Sequence, residues 1–402
     1  MQTVHWLRCA IVLAVLIAIT APAHARIKLI TLPPRERVEI QLDNLGATLV
    51  EEERIVPLVK GENQVDFSWA NTRIDPETIV FRVIAPVGEK RLDVKVLSVS
   101  YPPNEAALVW AVASSDSGSA RVRISYILGN LSKSFNYRAI ASRDESSLTL
   151  SEYIRLQNFA NEEFGSTEIW AGFGKEFRKP VGLNETKEML MAKFPKVPIR
   201  KTYTASVTEF GYLDRPQNKL RVPMHHVLKN DKGNGMGAAP LPYGKVRIFI
   251  EGSDQNREAT TFLGEDWGKF TPIDDEMKLY LGVAQDIVVK RTIDRNDNER
   301  VAGNLFNQFV VIKYEIENFK DQAVTLDIVE NLRYIRTEAL GRDTGRDVQW
   351  ELGKDTTFAG GPDKGKSTID QVLFHVKLAA RGADGKAEKS IQKFHVILKN
   401  EW

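Results

Sequence analysis

Beyond its N-terminal segment the chain has four histidines, His225, His226, His375 and His395. A zinc site needs three or four such ligands held together, and the spacing places no carboxylate beside either pair. Solvated histidines are the plainer reading. Gly360 to Ser367, GGPDKGKS, matches the phosphate-loop pattern GxxxxGK[ST] residue for residue. That chemistry requires a buried parallel strand before the loop and a helix after it, so that amides and helix dipole point at phosphate. Thr356–Ala359 is a poor buried strand and the residues after Thr368 alternate like a β-strand, so a Gly/Lys surface loop is expected. Gly233-Asn234-Gly235-Met236-Gly237 resembles half of a dinucleotide loop but lacks both flanks.

Asp294, Asn296 and Asn298 stand at alternate positions, as in a calcium loop, yet Glu299 occupies the glycine position and Leu305 the position of the bidentate acid. A hairpin tip fits better, and calcium is the one cofactor the spacing leaves open; no other is expected. Glu265-Asp266 and Asp274-Asp275-Glu276 could supply a glycosidase acid pair, although adjacent acids in turns are usually solvated. No G-x-S-x-G or H-E-x-x-H occurs, and Cys9 is the only cysteine. It falls inside the N-terminal apolar run, which removes disulfides, thiolate nucleophiles and cysteine metal ligands from the expected mature chain. No catalytic residue is assigned.

The elements that must position these groups read as strands. Val246, Ile248 and Ile250 alternate with Arg247, Phe249 and Glu251, a polar turn follows at 252–256, and Met277, Leu279, Leu281 and Val283 share a face. The order strand, Asn-Phe, acidic turn, strand occurs at Asn158-Phe159 and again at Asn318-Phe319, consistent with two related β units. Leu373 to Leu398 is expected to fold as a hairpin in which Phe374, Val376 and Leu378 meet Phe394, Val396 and Leu398. Strict alternation then puts His375 beside His395. Asn184 to Lys193 is the best helix candidate, with Asn184 as N-cap. Residues 213–244 mix Pro, Gly, Asn and Lys with little periodicity, and a long loop of this kind is often functional.

The stretch GEDWGKFTPIDDEMKLYLG followed by DIVVKRT resembles the central portion of the mucoidy-inhibitor-like family of exported bacterial proteins, across residues 35 to 335 at the level of pattern. The resemblance implies an envelope protein whose domain has no assigned function. It supplies no catalytic residues. Members tend to carry an upstream coiled coil, and no heptad run is present here.

Arg8, the apolar run Cys9 to Ile19 and Ala23-His24-Ala25 form the three parts of a secretory signal with cleavage after Ala25. With 55 basic and 53 acidic residues the formal charge is +2, and interspersed signs give no electrostatic footprint for nucleic acid. No segment after the signal is long and apolar enough for a transmembrane helix. Trp402 after an alternating strand is reminiscent of an outer-membrane barrel strand, but the long irregular loops fit a sandwich better.

The sequence therefore predicts an all-β protein of two or three tandem antiparallel, immunoglobulin-like β-sandwich domains with one short helix. The expected organisation is a signal peptide at 1–25, an N-terminal β domain at 26–103 ending in a linker near Tyr101-Pro102-Pro103-Asn104, central β structure at 104–300 with the 213–244 loop, and a C-terminal β-sandwich at 301–402. The expected function is that of a non-catalytic periplasmic or surface protein acting through contacts with itself or an envelope partner. The alternative is a glycan-binding or glycan-active protein. His225, His226, Trp267 and Trp170 are the candidate contact residues. A metal-dependent enzyme is a third class.

Overall fold

The computed structural model describes residues 28–44, 46–88, 92–252, 260–342 and 345–402. The expected signal segment at 1–25 and most of the turn at 252–256 lie outside them. The protein is all-β: its described residues form four sheets and one α-helix, with two single-turn 3-10 segments. Among the described residues no helix is long and apolar enough to cross a membrane.

The chain divides into two compact units, each built from discontinuous segments: residues 1–133 with 156–187, and 134–155 with 188–402. These are not the three consecutive domains that the linkers suggested. The expected boundary at 101–104 is the turn of a hairpin, because Val94–Ser100 pairs antiparallel with Ala107–Ser114. The boundary near 300 is another, joining Ile287–Ala302 to Leu305–Asn318. Pro and Gly mark a change of direction; only long-range pairing decides whether a domain ends there.

In the first unit a four-stranded sheet runs in the order Lys28–Thr31, Gly61–Ser68, Ala107–Ser114, Val94–Ser100. A six-stranded sheet runs Lys175–Val181, Phe164–Gly172, Arg37–Gln41, Leu49–Leu58, Gly118–Ile127, Val80–Val87. Alternation turns Val65, Phe67, Leu108, Trp110 and Val112 inward from the first, and Val122, Ile124 and Tyr126 from the second. Rings join the two faces: Phe67 lies 5.8 Å from Trp110 and 6.0 Å from Tyr126, and Phe81 lies 4.7 Å from Trp110.

In the second unit a nine-stranded sheet contains the path Thr260–Gly268, Gly244–Glu251, Leu131–Ala141, Ser147–Asn158, Thr186–Ser206, Pro223–Lys229, Glu276–Val283. Its two ends come together, for the Tyr280 amide donates to Asp266 Oδ2 at 2.7 Å. Val324–Asn331 joins Thr186–Ser206 in parallel and Gln371–Leu378 in antiparallel pairing. A six-stranded sheet centred on Ile287–Ala302, Leu305–Asn318 and Glu388–Glu401 shares one core with it. Val246 and Ile248, and Met277 and Leu279, are buried as the alternation predicts.

The expected 373–398 hairpin does not form. Gln371–Leu378 pairs with Val324–Asn331, whereas Glu388–Glu401 pairs with Leu305–Asn318 in the other sheet. Phe374 and Phe394 do meet, at 5.0 Å, but across the core between sheets. Apolar complementarity holds equally for neighbours in a sheet and for faces across a core, so alternation could not choose between them. His375 and His395 are consequently in different sheets.

The expected helix at 184–193 is strand. Asn184 adopts a left-handed turn conformation (φ 53°), and Thr186–Ser206 is a strand with a left-handed residue at Lys196 (φ 53°). Helix propensity yields to tertiary pairing here, as Ile199–Tyr203 aligns with Met224–Leu228. The α-helix is Leu332–Leu340. Asn331 Oδ1 caps it by accepting from the Tyr334 amide at 2.9 Å, and Gly341 closes it at φ 69°.

The Asn-Phe echo is a real structural correspondence. Asn158 and Asn318 are both fully buried. Each side-chain oxygen accepts the amide two residues on, at 3.2 Å from Ala160 and 3.1 Å from Lys320. Each side-chain nitrogen donates to the carbonyl four residues on, Glu162 or Gln322, and to one distant carbonyl, Gly182 or Ala379. The following Phe amide donates to a residue just before an earlier hairpin, Asn130 or Asp286. One amide side chain thus satisfies the backbone of a turn that no ladder can pair.

Candidate functional site

His225 and His226 are not in a loop. They lie in the strand Pro223–Lys229, where alternation sends them to opposite faces. The 213–244 segment also contributes Tyr212–Asp214 and Lys219–Leu220 to the six-stranded sheet. Its remaining turn is fastened by buried Asn230, whose amide nitrogen reaches the Ala239, Thr271 and Pro272 carbonyls at 3.0, 3.3 and 3.1 Å.

His225 faces an open groove of about 770 Å³ on the second unit, within the size range of ligand sites. Thr202, Val227, Lys278 and Tyr280 line its floor with His225; Asp266 and Trp267 border it, and Asp327, Lys366 and Gln371 complete the wall. Two ring stacks stand here. Tyr280 packs on Phe210 at 6.1 Å with planes 16° apart, and His225 lies 5.6 Å from the same tyrosine. Trp267 stacks on Tyr243 at 5.1 Å and 4°, leaving both rings about half exposed, with Lys245 Nζ 5.4 Å from the indole. Burial, reinforced by the Lys278 charge, holds His225 below its ordinary pKa against the opposing pull of Glu209 and Asp266.

His226 is fully buried on the other face. Its Nε2 lies 2.9 Å from Glu145 Oε1, and Lys201 Nζ donates to both Glu145 oxygens at 2.8 and 2.7 Å. Glu145 sits at a hairpin tip in the left-handed region, φ 54°. Burial alone would raise its pKa, but the bonds from His226 and Lys201 outweigh that and hold it at about 2. A carboxylate so strongly acidic makes a poor general base. The cluster ties a turn to the sheet.

His375 is held between two acids, Nδ1 to Asp327 at 2.7 Å and Nε2 to Asp363 at 2.9 Å. Asp363 belongs to the GGPDKGKS segment, which forms turns followed by the strand Gln371–Leu378, with no helix to aim at phosphate. His395 is buried, its ring over Gly353, where any Cβ would lie 2.2 Å from the imidazole. It contacts Arg295 at 3.2 Å and Asp355 at 3.3 Å.

Gly233–Gly237 overlaps the 3-10 turn Lys232–Asn234, which Asp231 caps. Asp294, Asn296 and Asn298 lie inside the strand Ile287–Ala302 rather than at the hairpin tip, which is the turn just after it. No group of three or more His, Cys, Asp or Glu suited to a metal occurs among the described residues. Glu265 pairs with Lys245 at 2.8 Å. Asp266 accepts the Trp267 and Tyr280 amides, at 2.8 and 2.7 Å, one on each oxygen. Both oxygens of Asp266 are therefore fixed by backbone donors, a structural use of the acid.

Of the four expected contact residues, the groove gathers His225 and Trp267. His226 is interior, and Trp170, 42% exposed, belongs to the first unit. Sequence reasoning overlooked Tyr280 and Lys278, although the alternation that turns Met277 and Leu279 inward already sends them to the opposite face. Lys366, Asp327 and Phe210 come from remote segments and carry no local signal. No protein-family model matches the chain, and no curated protein matches it.

Proposed function

We propose that the protein is an exported, non-catalytic envelope or surface protein that works through protein contacts, made by strand addition at the open edge of its first unit. The carrying observation is the strand Val94–Ser100. It ends the four-stranded sheet, and Val96, Leu97 and Val99 within it are 40%, 57% and 45% exposed, with Tyr101 beside them at 53%. Natural edges are usually blunted by charge, proline or a covering loop. This strand, VKVLSVS, carries the single charge of Lys95. The other nearby edge, Val80–Val87, holds Pro86, which cannot donate to an added strand.

The occupant is an extended apolar strand, in the first instance that of a second copy. Leu97 is the extra residue of a bulge in this strand, and a second copy added antiparallel about it sets no lysine opposite lysine. The basic, apolar and A-x-A order at 1–25 supports export, and the resemblance to the mucoidy-inhibitor-like family supports an envelope location. Size-exclusion chromatography with light scattering tests the reading. Association that survives dilution and is abolished by Leu97→Lys supports it. A monomeric wild type that also cross-links to no protein in intact cells overturns it.

A further inference from the structure

We propose that the groove of the second unit is a binding site for an anionic polysaccharide, one bearing carboxylates on pyranose rings. The groove and the edge strand lie in different units. Three of the groove's four acidic side chains are already bonded within the protein. Asp266 is bonded on both oxygens to backbone amides, Asp327 to His375, and Glu276 to Arg200 at 3.6 Å. Glu209 and Asp266 are the lining carboxylates with no ion-pair partner among the described residues. On the cationic side Lys269, Lys278 and Lys366 line the same groove, are exposed, and have no ion-pair partner among the described residues. Three unpaired ammonium groups against the two unpaired carboxylates of Glu209 and Asp266 leave a cationic excess that favours an anionic ligand.

The rings then choose among anions. A free inorganic anion or a nucleotide phosphate needs a convergent cradle of amides or arginine forks, and the Gly360–Ser367 turn ends in a strand rather than a helix. Flat aromatic faces beside water-exposed ammonium groups suit a ring with an apolar face and a polar rim, as a pyranose has. Trp267, 51% exposed and backed by Tyr243, supplies one platform, and Tyr280 backed by Phe210 supplies the second. Backing by a second ring lowers the ordering cost of presenting the first. In the same groove His225 and Gln371 offer hydrogen-bond groups. An open groove, unlike a closed pocket, accepts an interior stretch of a long chain.

Affinity electrophoresis of the purified protein through gels containing polygalacturonate, with dextran as the neutral control, tests this. Wild type should be retarded by polygalacturonate and not by dextran, and added salt should weaken the retardation. Trp267→Ala should weaken retention at least tenfold and Lys278→Gln several-fold. Trp170→Ala, an exposed tryptophan outside the groove, should change nothing. Both groove residues are exposed, and unchanged melting temperatures would verify that the variants fold. Equal retardation by dextran overturns the anionic assignment. Absence of retardation, or retention unaffected by both Trp267→Ala and Lys278→Gln, overturns the site. None of these outcomes depends on whether Leu97→Lys alters self-association.

Discussion

The two units differ in where they set their most buried ion pairs and their stacked surface rings. The first buries Phe67, Trp110 and Tyr126 in its core, leaves Tyr101 and Trp170 exposed, and spreads ion pairs over its six-stranded sheet. There Glu168 binds both Arg37 and Arg178, while Glu51 and Glu53 bind Arg82 and Arg123. Those arginine side chains are 25% to 62% exposed. The second unit buries charge and displays rings. Arg291, with a fully buried side chain, binds Glu330 at 2.7 Å and Glu338 at 2.8 Å, and Tyr314 donates to Glu330 as well. The Trp267 and Tyr280 stacks stand in its groove. A surface lattice of charge keeps a face soluble and leaves contact to an edge. Exposed rings beside free lysines leave a face ready for a ligand.

The difference sets the order of expected effects. Arg291→Met leaves Glu330 buried without its cation, and should cost about 3–5 kcal/mol. Hydrogen exchange should show the loss confined to the second unit, and adding Glu330→Leu should recover part of it. Trp110→Ala should remove a similar amount, about 3–5 kcal/mol, from the first unit by opening a cavity. If either substitution loosens both units equally, they do not fold as separate cores.

The buried asparagines should behave alike in the two units despite the contrast around them. Asn158→Ala and Asn318→Ala each strand buried turn carbonyls and amides, and each should cost about 1–3 kcal/mol in its own unit, read by denaturant melts with exchange mapping. A cost in one unit and none in the other would break the correspondence between the turns.

A smaller effect depends on pH. Hydrogen bonding to Asp363, opposed by burial and aided by Asp327, raises the His375 pKa above its ordinary value. Both ring nitrogens face carboxylates, so both must donate and the imidazolium is the bonded form. The stability it contributes is fully present below its unfolded pKa, about 6.5, and is lost as pH rises through the higher folded value. Melting temperature should therefore decline over that interval, and His375→Asn should flatten the decline. An unchanged profile would show that the Asp363 turn is held by its backbone bonds alone. Smallest of all, Arg37→Ala on the exposed lattice should change stability by less than about 1 kcal/mol, against the several expected at Arg291.

The strand faces were legible in the residue order because the β period is local. Val246 with Ile248, and Met277 with Leu279, turn inward as alternation requires, and the Asn-Phe turn could be recognised in both units from its composition. The sequence also singled out His225 and Trp267 by type as candidate contact residues, and the fold sets both at one groove. What residue order left undetermined was every choice among equivalent partners. Phe374 meets Phe394 across a core, not within a hairpin; His226 turns inward while His225 turns out; and Asn184, a good cap by composition, is a turn residue because Thr186–Ser206 is committed to a sheet. The groove is the extreme case. Phe210, Trp267, Tyr280, Asp327 and Lys366 are brought together only by pairings between remote strands, and an ammonium group is uncommitted only relative to the carboxylates that tertiary structure sets beside it or keeps away.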